Sequence, residues 1–322
     1  MQDRVSVVIP TYNRSDYILE AVQSVIEQDH APFELIVVDD GSTDDTKEKL
    51  ASLIDSGAIR YVYQENRGRS AARNLGISLA TGDYLSFLDS DDLFEANKLA
   101  KQAEFLSRHP EVGLVHGGYI KFDAGNDDLG YRDPFWFSGW IYPDMLLIWY
   151  TLLPPSVVMA PKRVLDEVGG FDESLYIGED LDLWRRIARR YPFGYINQRL
   201  ARIRVHAGNT ATDALKVTGE FERYLERAFE DDHSLSTRFR NRALSRMYSN
   251  QAYIMLSGWQ KELILSARTN ARLAIVHDPL NMNGYIALVS TLLGYNSRKA
   301  LAEKWRSLRN KLMTRGRRPQ SR

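Results

Sequence analysis

The chain has 322 residues, enough to bury the core of a full α/β domain and leave a sizeable remainder. Its 44% hydrophobic and 26% charged residues exclude the disordered and collagen-like classes. Lys plus Arg and Asp plus Glu both number 42, so no global field attracts nucleic acid, and we expect no nucleic-acid partner. The absence of cysteine excludes disulfides and thiolate sites and favours a reducing compartment.

The sequence carries no targeting or membrane-spanning signal. The N-terminal MQDRVSVVIP lacks a basic segment followed by an apolar core. No window reaches the roughly 18 apolar residues that a membrane span needs. These features predict a cytoplasmic protein, and any contact with the inner face of the cell membrane would be peripheral.

Strand-like and helix-like patterns alternate through the first part of the chain. Short runs rich in Val, Ile and aromatic residues predict strands buried on both faces over 5–10, 33–40, 59–64 and 84–89. Apolar residues at helical spacing predict helices over 16–28, 44–55 and 70–80. This alternation predicts the α/β class with a doubly wound, mostly parallel sheet.

The pattern changes after residue 123. Aromatic and turn residues dominate 130–156, a strand-like stretch follows over 192–208, and the chain is helical in pattern from about 213. We therefore predict two domains, 1–210 and 211–322, the second ending in a basic tail.

Polar side chains follow the predicted strands where they end. In doubly wound sheets, ligands bind beyond the carboxyl ends of the strands, so the site is expected along this edge. The residues concerned are Thr11, Asn13, Asp39, Asp40, Asp89 and Asp91.

The aspartates after the fourth strand have the spacing of a metal motif. Asp89 and Asp91 lie two residues apart, so their carboxylates can point the same way and bind Mg²⁺ or Mn²⁺ together with phosphate oxygens. The alternative is that Asp91 or Asp92 caps the next helix. One cap does not require three aspartates, which favours the metal.

The second acidic strand end, VVDDGSTDDT, combines structural and chemical uses. Within the GSTDD motif at 41–45, the glycine permits a turn, and Ser42 or Thr43 can cap the following helix. These uses leave Asp39 and Asp40, whose carboxylates can accept hydrogen bonds from a nucleobase or a ribose.

No glycine-rich phosphate loop is present. The sequence lacks both G-x-x-x-x-G-K-[ST] and G-x-G-x-x-G after the first strand, so a cation must help to hold phosphates. Arg67, Arg69 and Arg73 surround a predicted helix start, where guanidinium groups and backbone N–H groups both favour phosphate. One of the three could instead be a solvated surface charge.

Four motifs, in this order, carry a resemblance to a known family. VSVVIPTYNRSDYILEAVQSVIEQ, ELIVVDDGSTDDT, NRGRSAARNLGISLATGDYLSFLDSDD and GEDLDLWRRI resemble the family 2 glycosyltransferases over about residues 5–208. The resemblance implies a GT-A fold over this range, to which the helical pattern from about 213 adds a C-terminal appendage. It also implies inverting transfer of a sugar from a nucleoside-diphosphate sugar, most commonly UDP-linked, as in surface polysaccharide biosynthesis.

The resemblance also assigns site residues. It places the first nucleotide-contacting loop at Pro10, Thr11, Tyr12 and Asn13. It assigns contacts with the base and ribose to Asp39 and Asp40, with an arginine near the nucleotide at Arg73.

The metal and the catalytic base follow in the same way. The Asp-x-Asp motif falls on Asp89, Ser90 and Asp91, and His206 is the candidate histidine near the Mn²⁺ or Mg²⁺ and the diphosphate. The alternative for His206 is a strand histidine satisfied by a neighbour. The catalytic base is assigned to Asp180, with Glu179 as the second choice.

The sequence also departs from some relatives. EDLDLW is followed by RRIARRYPF and not by the QxxRW signature of processive synthases, which favours single additions to a glycan or lipid-linked acceptor. Trp136 and Trp140 are candidates to line the acceptor cleft, although most aromatics of 135–150 would be core residues.

The C-terminal region leaves two interpretations open. The apolar stretch 285–295 and the basic tail could lie on an anionic bilayer, or the stretch could pack inside the helical region beside a solvated tail. The helical region is also a candidate homodimer surface.

Two other functions compete with sugar transfer. A nucleotidyltransferase would normally carry a glycine-rich loop with a lysine, which is absent. A non-catalytic glycan- or nucleotide-binding protein would not need Asp89, Asp91 and Asp180 together.

Overall fold

The computed structural model describes residues 4–29, 33–123, 125, 127–134, 138–147, 153–206, 214–257 and 263–293. The chain divides into two compact units. The first comprises Met1–Met145 and Thr151–Thr212, and the second comprises Leu146–Tyr150 and Asp213–Arg322. The assignment of separate functions to the domains 1–210 and 211–322 stays a prediction.

The first unit contains a mixed sheet and six described helices. Its strands are β1 Val5–Thr11, β2 Phe33–Asp39, β3 Arg60–Tyr63, β4 Tyr84–Phe87, β5 Leu93–Phe94, β6 Leu114–Phe122, β7 Asp128–Arg132, β8 Met159–Pro161 and β9 Phe193–Arg204. Its helices are α1 Ile18–Ile26, α2 Thr46–Asp55, α3 Arg69–Leu79, α4 Lys98–Arg108, α5 Lys162–Val168 and α6 Glu179–Ala188.

The strand order fixes where a ligand can bind. Over the described residues the order is β3-β2-β1-β4-β8-β6-β9-β5, with β7 paired to β6. Strands β3, β2, β1 and β4 are parallel, and β8 runs antiparallel between β4 and β6. Because β1 has β2 on one side and β4 on the other, the chain order reverses at β1, and the crevice at its carboxyl end is the expected ligand site.

Burial separates the centre of the sheet from its edge. Every residue of β1 is buried, as continuous apolar character predicts. The prediction of burial on both faces is wrong for β3, which among the described strands pairs with β2 alone and has two exposed residues among its four. An edge strand lacks a neighbour on one side and is more accessible to water.

Alternate residues of β1 face two helical layers. Val7 and Ile9 belong to the core cluster that includes the buried face of α1. Val8 meets α3 at Gly76, where a Cβ would lie 2.2 Å from Val8 Cγ1. The glycine therefore lets α3 lie close against the sheet beside the candidate site.

The second unit is helical over its described residues. Its helices are α7 Ala214–Asp231, α8 Thr237–Ser257, α9 Ile264–His277 and α10 Met282–Ser290. Small residues form much of their buried contact, including Ala252, Ala267, Ala271 and Ala287. None of the helices in the described residues is long and apolar enough to cross a membrane. The predicted α/β class with C-terminal helices is confirmed.

Candidate functional site

The loops that follow β1 and β2 are bonded to each other. Asn13 has a left-handed backbone (φ 50°), and its N–H donates to Ser42 Oγ at 2.9 Å. Thr43 N in turn donates to Asn13 Oδ1 at 2.8 Å, and Ser15 N donates to Asp44 Oδ2 at 3.0 Å. The prediction that Ser42 or Thr43 caps α2 is wrong, because the helix begins at Thr46 and both residues bond Asn13.

The end of β1 presents the predicted nucleotide-contacting residues. Pro10 and Thr11 are buried in the strand, whereas Tyr12 is 46% exposed. The buried hydroxyl of Thr11 has no hydrogen-bond partner among the described residues. A buried polar atom without a partner is costly, so this hydroxyl favours a ligand at the strand end.

Asp39 accepts hydrogen bonds from the turn after β2 and from Tyr61 of β3. Its Oδ1 accepts from Ser42 N at 2.8 Å, and its Oδ2 accepts from the Tyr61 hydroxyl at 2.5 Å. Burial, and then the Asp39 carboxylate, raise the pKa of Tyr61, which keeps that hydroxyl a donor. Contact of Asp39 with a base stays a prediction.

Asp40 shapes the loop that leads into α3. Its Oδ1 accepts from Gln64 Nε2 at 2.6 Å and from Arg67 N at 2.9 Å, and its Oδ2 accepts from Gly68 N at 2.8 Å. Gly68 has a φ of 91°, a conformation that glycine adopts without strain. Asp40 thus has a structural role in this loop, and its contact with a ribose stays a prediction.

Arg73 joins two acidic motifs that are distant in sequence. Its Nη2 lies 2.6 Å from Asp89 Oδ1, and its Nη1 lies 2.9 Å from Glu179 Oε1. Arg69 Nε approaches the same Glu179 oxygen at 2.8 Å. The side chains of Arg73 and Glu179 are almost fully buried, so this is an ion-pair network with little solvent screening. It brings the predicted metal motif and the predicted base motif into one site.

Asp180 has the environment of a general base. It lies in the first turn of α6 and is only partly exposed, and its Oδ1 accepts from Leu181 N at 2.8 Å. Burial, and then the charge of Glu179, raise the pKa of Asp180 to about 7, against the opposing charge of Arg73. A carboxyl group with a pKa near neutrality can take a proton efficiently. Glu179 itself is occupied by two arginines, which favours Asp180 for this role.

Asp91 and His206 lie in direct contact. Asp91 Oδ2 is 2.9 Å from His206 Nε2 and 3.7 Å from Arg14 Nε. The His206 ring stacks on Tyr17 with 5.3 Å between ring centroids. The hydrogen-bond partner of the His206 ring is therefore Asp91, one of the predicted metal ligands. Ser90, the middle residue of the Asp-x-Asp motif, is buried.

Asp92 anchors this loop and caps no helix. The next helix, α4, begins at Lys98, which excludes the cap interpretation for both Asp91 and Asp92. Buried Asp92 accepts from Ser156 Oγ at 2.6 Å and from Arg204 N at 2.9 Å. Burial, and then the charges of the neighbouring aspartates, raise the pKa of Asp92 well above its usual value.

The Asp91 carboxylate and the His206 imidazole, which contact each other, are suitable ligands for a divalent cation. A carboxylate oxygen and an imidazole nitrogen are suitable ligands for Mn²⁺, and phosphates and water commonly complete such sites. Asp89, the third predicted ligand, contacts Arg73 in this structure. Within the described ranges no three His, Asp or Glu side chains are already grouped around a common point. Asp91 and His206 therefore fit a cation whose remaining ligands come with the substrate.

The three predicted phosphate-binding arginines differ in their surroundings. Arg67 is largely exposed and pairs with Glu173 at 3.0 Å, so it is the surface charge among them. Arg69 donates to the Tyr176 carbonyl at 2.5 Å in addition to its contact with Glu179. It thus holds the segment that precedes α6.

Sequence reasoning missed several residues of the site. Arg14 follows the predicted nucleotide loop directly, so a basic residue at a strand end could have revealed it. Ser156 and Arg204 gave no local signal, because their partner Asp92 is distant along the chain. Trp140 is 71% exposed, as an acceptor-facing residue could be, while Trp136 lies outside the described residues.

The chain is similar to glycosyltransferases in sequence. It matches the family model "Glycosyl transferase family 2" over residues 6–160. An uncharacterized glycosyltransferase of Rickettsia felis is 37% identical over 214 residues, which cover 66% of this chain and 35% of the relative. An uncharacterized glycosyltransferase of Rickettsia typhi is 33% identical over 222 residues, which cover 68% of this chain and 69% of the relative. The chain thus spans about a third of the first relative and two thirds of the second.

Solved structures share the fold. S. aureus TarS 1–349 has a TM-score of 0.63 at 18% identity, with 94% of this chain and 91% of that chain covered. The mannosyltransferase PcManGT from Pyrobaculum calidifontis has a TM-score of 0.59 at 21% identity, with 96% and 81% covered. These similarities confirm the GT-A type of fold that the motifs predict. The chain belongs to glycosyltransferase family 2.

Proposed function

We propose that the protein transfers a single sugar from a nucleoside-diphosphate sugar, with a UDP-linked donor as first choice, to a hydroxyl of a glycan or lipid-linked acceptor in surface polysaccharide synthesis. The observation that carries the proposal is the bridge from Arg73 to Asp89 and Glu179, beside Asp180. TarS has been solved with UDP-GlcNAc, and PcManGT with GDP-Man and Mn²⁺, which supports a sugar-nucleotide donor.

Asp180 would act as the base in one displacement. The acceptor oxygen forms a bond to the anomeric carbon while the bond from that carbon to the diphosphate breaks, and the hydroxyl proton passes to the Asp180 carboxylate. Attack opposite the leaving group inverts the anomeric centre, so no covalent sugar–enzyme intermediate is required. The raised pKa of Asp180 supports this role, because the base must hold the proton at neutral pH.

The other end of the site would stabilise the departing diphosphate. Asp91 and His206 would hold Mn²⁺ or Mg²⁺, with Asp89 as the third predicted ligand. When bound, the cation neutralises the charge that develops on the leaving group. Arg14, whose side chain is about one-third exposed beside Asp91, can donate to phosphate oxygens.

Nucleotide and metal binding can be tested by thermal shift. We would screen UDP, GDP, dTDP and CDP, each with Mn²⁺, Mg²⁺ or EDTA. A ligand at a hundred times its dissociation constant adds about 2.7 kcal/mol to the free energy of unfolding, which is readily visible. We expect one nucleotide to raise the melting temperature, and expect EDTA or Asp91→Ala to abolish the shift. Asp55→Ala is the matched control, because Asp55 is exposed at the C-terminal end of α2.

The outcomes separate the parts of the proposal. A shift that survives EDTA and Asp91→Ala would contradict the metal assignment, and no shift with any nucleotide would contradict the donor class. Slow hydrolysis of the donor by the wild type but not by Asp180→Asn would distinguish an enzyme from a non-catalytic binding protein. Release of a nucleoside diphosphate rather than pyrophosphate would reject a nucleotidyltransferase.

A further inference from the structure

Helix α10 presents an apolar face to solvent. Met282, Tyr285 and Val289 of α10, and Leu292 just after its end, follow one another at intervals of three, four and three residues, the spacing of one side of a helix. They are between 40% and 70% exposed, and Leu280, just before the helix, is 84% exposed. These five residues are called the C-terminal apolar surface.

The opposite face of α10 provides its packing. Gly284 and Ala287 are buried, and a Cβ at Gly284 would lie 3.0 Å from Ile275 Cγ1 of α9. Asn281 caps α10 and also donates to Ser245 Oγ of α8 at 2.8 Å. The helix is therefore held through its other side, and the C-terminal apolar surface is not needed for that packing. Of the apolar stretch 285–295, the described part 285–293 therefore has one packed side and one exposed side, as neither of the two interpretations alone predicts. Residues 294 and 295 lie outside the described residues.

The sequence that follows this surface is strongly basic, because residues 294–322 contain ten Lys or Arg. Residues 263–322 contain twelve Lys or Arg and two acidic residues, Asp278 and Glu303, which gives this part of a neutral chain a formal charge of +10. Helix α10 itself contains no charged residue. Large exposed apolar patches mark interaction sites, and a basic flank favours an anionic partner.

The tail beyond the described residues adds a second apolar pattern. In sequence, Leu301, Trp305, Leu308 and Leu312 recur at helical spacing, with Lys and Arg at many of the positions between them. Apolar residues on one side and basic residues on the other are typical of segments that lie in the interface of an anionic membrane.

We propose that the C-terminal apolar surface docks on an anionic lipid bilayer, with its apolar side chains at the acyl boundary and the basic tail on the headgroups. A second copy of this chain fits the charge less well, because it would bring a segment of the same +10 charge to the interface. The proposal concerns localisation and does not depend on the sugar-transfer chemistry.

Vesicle flotation of the full chain tests the proposal. Phosphatidylcholine vesicles with and without phosphatidylglycerol would be compared at low and high salt. We expect binding only to the anionic vesicles, with weakening at high salt. Val289→Glu combined with Leu292→Glu should lower partitioning at least about tenfold, because two exposed apolar anchors become anions. Leu19→Glu combined with Leu129→Glu, both exposed in the first unit, should leave binding unchanged.

A charge series tests the tail. Each Lys or Arg near an anionic surface contributes about fivefold to partitioning, so changing Arg306, Arg309 and Lys311 to Gln should weaken it about a hundredfold. Melting temperatures check that each variant is folded.

Three results would overturn the assignment. These are no flotation with anionic vesicles at low salt, equal flotation of the Val289/Leu292 double variant, or a dimer in light scattering that this double variant dissociates. None of these measurements requires a donor or an acceptor. A failure here is therefore distinct from a failure of the sugar-transfer proposal.

Discussion

The protonation of Asp180 should control activity on the acid side of the pH profile. Because the pKa of this carboxyl is raised to about 7, we expect kcat to fall as the pH drops below 7, where the group is protonated and cannot accept a proton. Since the charge of Glu179 contributes to this shift, Glu179→Gln should lower the pKa of Asp180 and move the fall to lower pH. Profiles of kcat against pH measure both effects.

The matched control for this experiment is Glu173→Gln. Glu173 lies in the same segment before α6, but its side chain is 41% exposed and is bonded to Arg67 and Asn74, not to the arginines at Glu179. Its removal should leave the acid side of the profile in place. An unchanged profile in Glu179→Gln, or a shift to higher pH, would contradict the electrostatic coupling of Glu179 to Asp180.

Arg73 should matter for stability as well as for the site. Lysine keeps the charge but lacks the planar fork that reaches Asp89 and Glu179 together. Because one carboxylate of a buried network would lose its partner, we expect Arg73→Lys to lower the free energy of unfolding by about 2 kcal/mol. Urea denaturation would measure the change.

The same substitution at Arg67 provides the comparison. Arg67 pairs with Glu173 at 3.0 Å, but both side chains are exposed, so Arg67→Lys should change stability by no more than about 0.5 kcal/mol. Similar small losses for both variants would show that the bridge contributes little to folding.

Site residues differ in how far the sequence could reveal them. Asp89 and Asp91 follow a predicted strand, where the general rule for strand ends was enough to expect acidic ligands, whereas Asp180 was assigned only through the family resemblance of its motif. Tyr61 and Ser156 could not be inferred. Their partners, Asp39 and Asp92, are brought to them only by strand pairing and loop packing.

Among the elements, the contact between α3 and β1 gives a sharp prediction. A Cβ at Gly76 would lie 2.2 Å from Val8 Cγ1, so Gly76→Ala forces a shift in a closely packed core. Overpacking of this kind costs about 1–3 kcal/mol, and we expect a loss of that size in the free energy of unfolding. Adding Val8→Ala should recover part of it, since the clashing methyl group is removed.

Gly219 is the matched control for Gly76. It lies within α7, has no positive φ, and nothing stands within 4 Å of the position a Cβ would take. Gly219→Ala should therefore stabilise the protein by about 0.5–1 kcal/mol through helix propensity. If Gly76→Ala were also stabilising, the close approach of α3 to β1 would be contradicted.

The elements that could be predicted are those with a strong local pattern, which is a continuous apolar run for the strands and apolar residues at helical spacing for the helices. Strands β1, β2 and β4 and helices α1 to α3 lie within a few residues of their predicted ranges. Strands β5 and β8 contain only two and three residues, too few to show an alternation. Their places in the sheet depend on pairing with distant strands, which local pattern does not specify.

On the scale of the whole molecule, a net charge of zero conceals an uneven distribution. The 42 basic and 42 acidic residues cancel, so composition alone indicated no global field that attracts nucleic acid. The +10 carried by residues 263–322 leaves −10 on the remainder. The distribution of charge along the chain, rather than the net charge, therefore indicates which kind of partner the protein can bind.

The bonds between the loops after β1 and β2 have a consequence for engineering. Asn13 uses both its N–H and its side-chain oxygen to hold Ser42 and Thr43, and Ser15 depends on Asp44. Replacing only one of these loops with that of a homologue would leave backbone N–H groups of the other loop without their hydrogen-bond acceptors. The segments 12–15 and 42–46 should therefore be exchanged together in any such replacement.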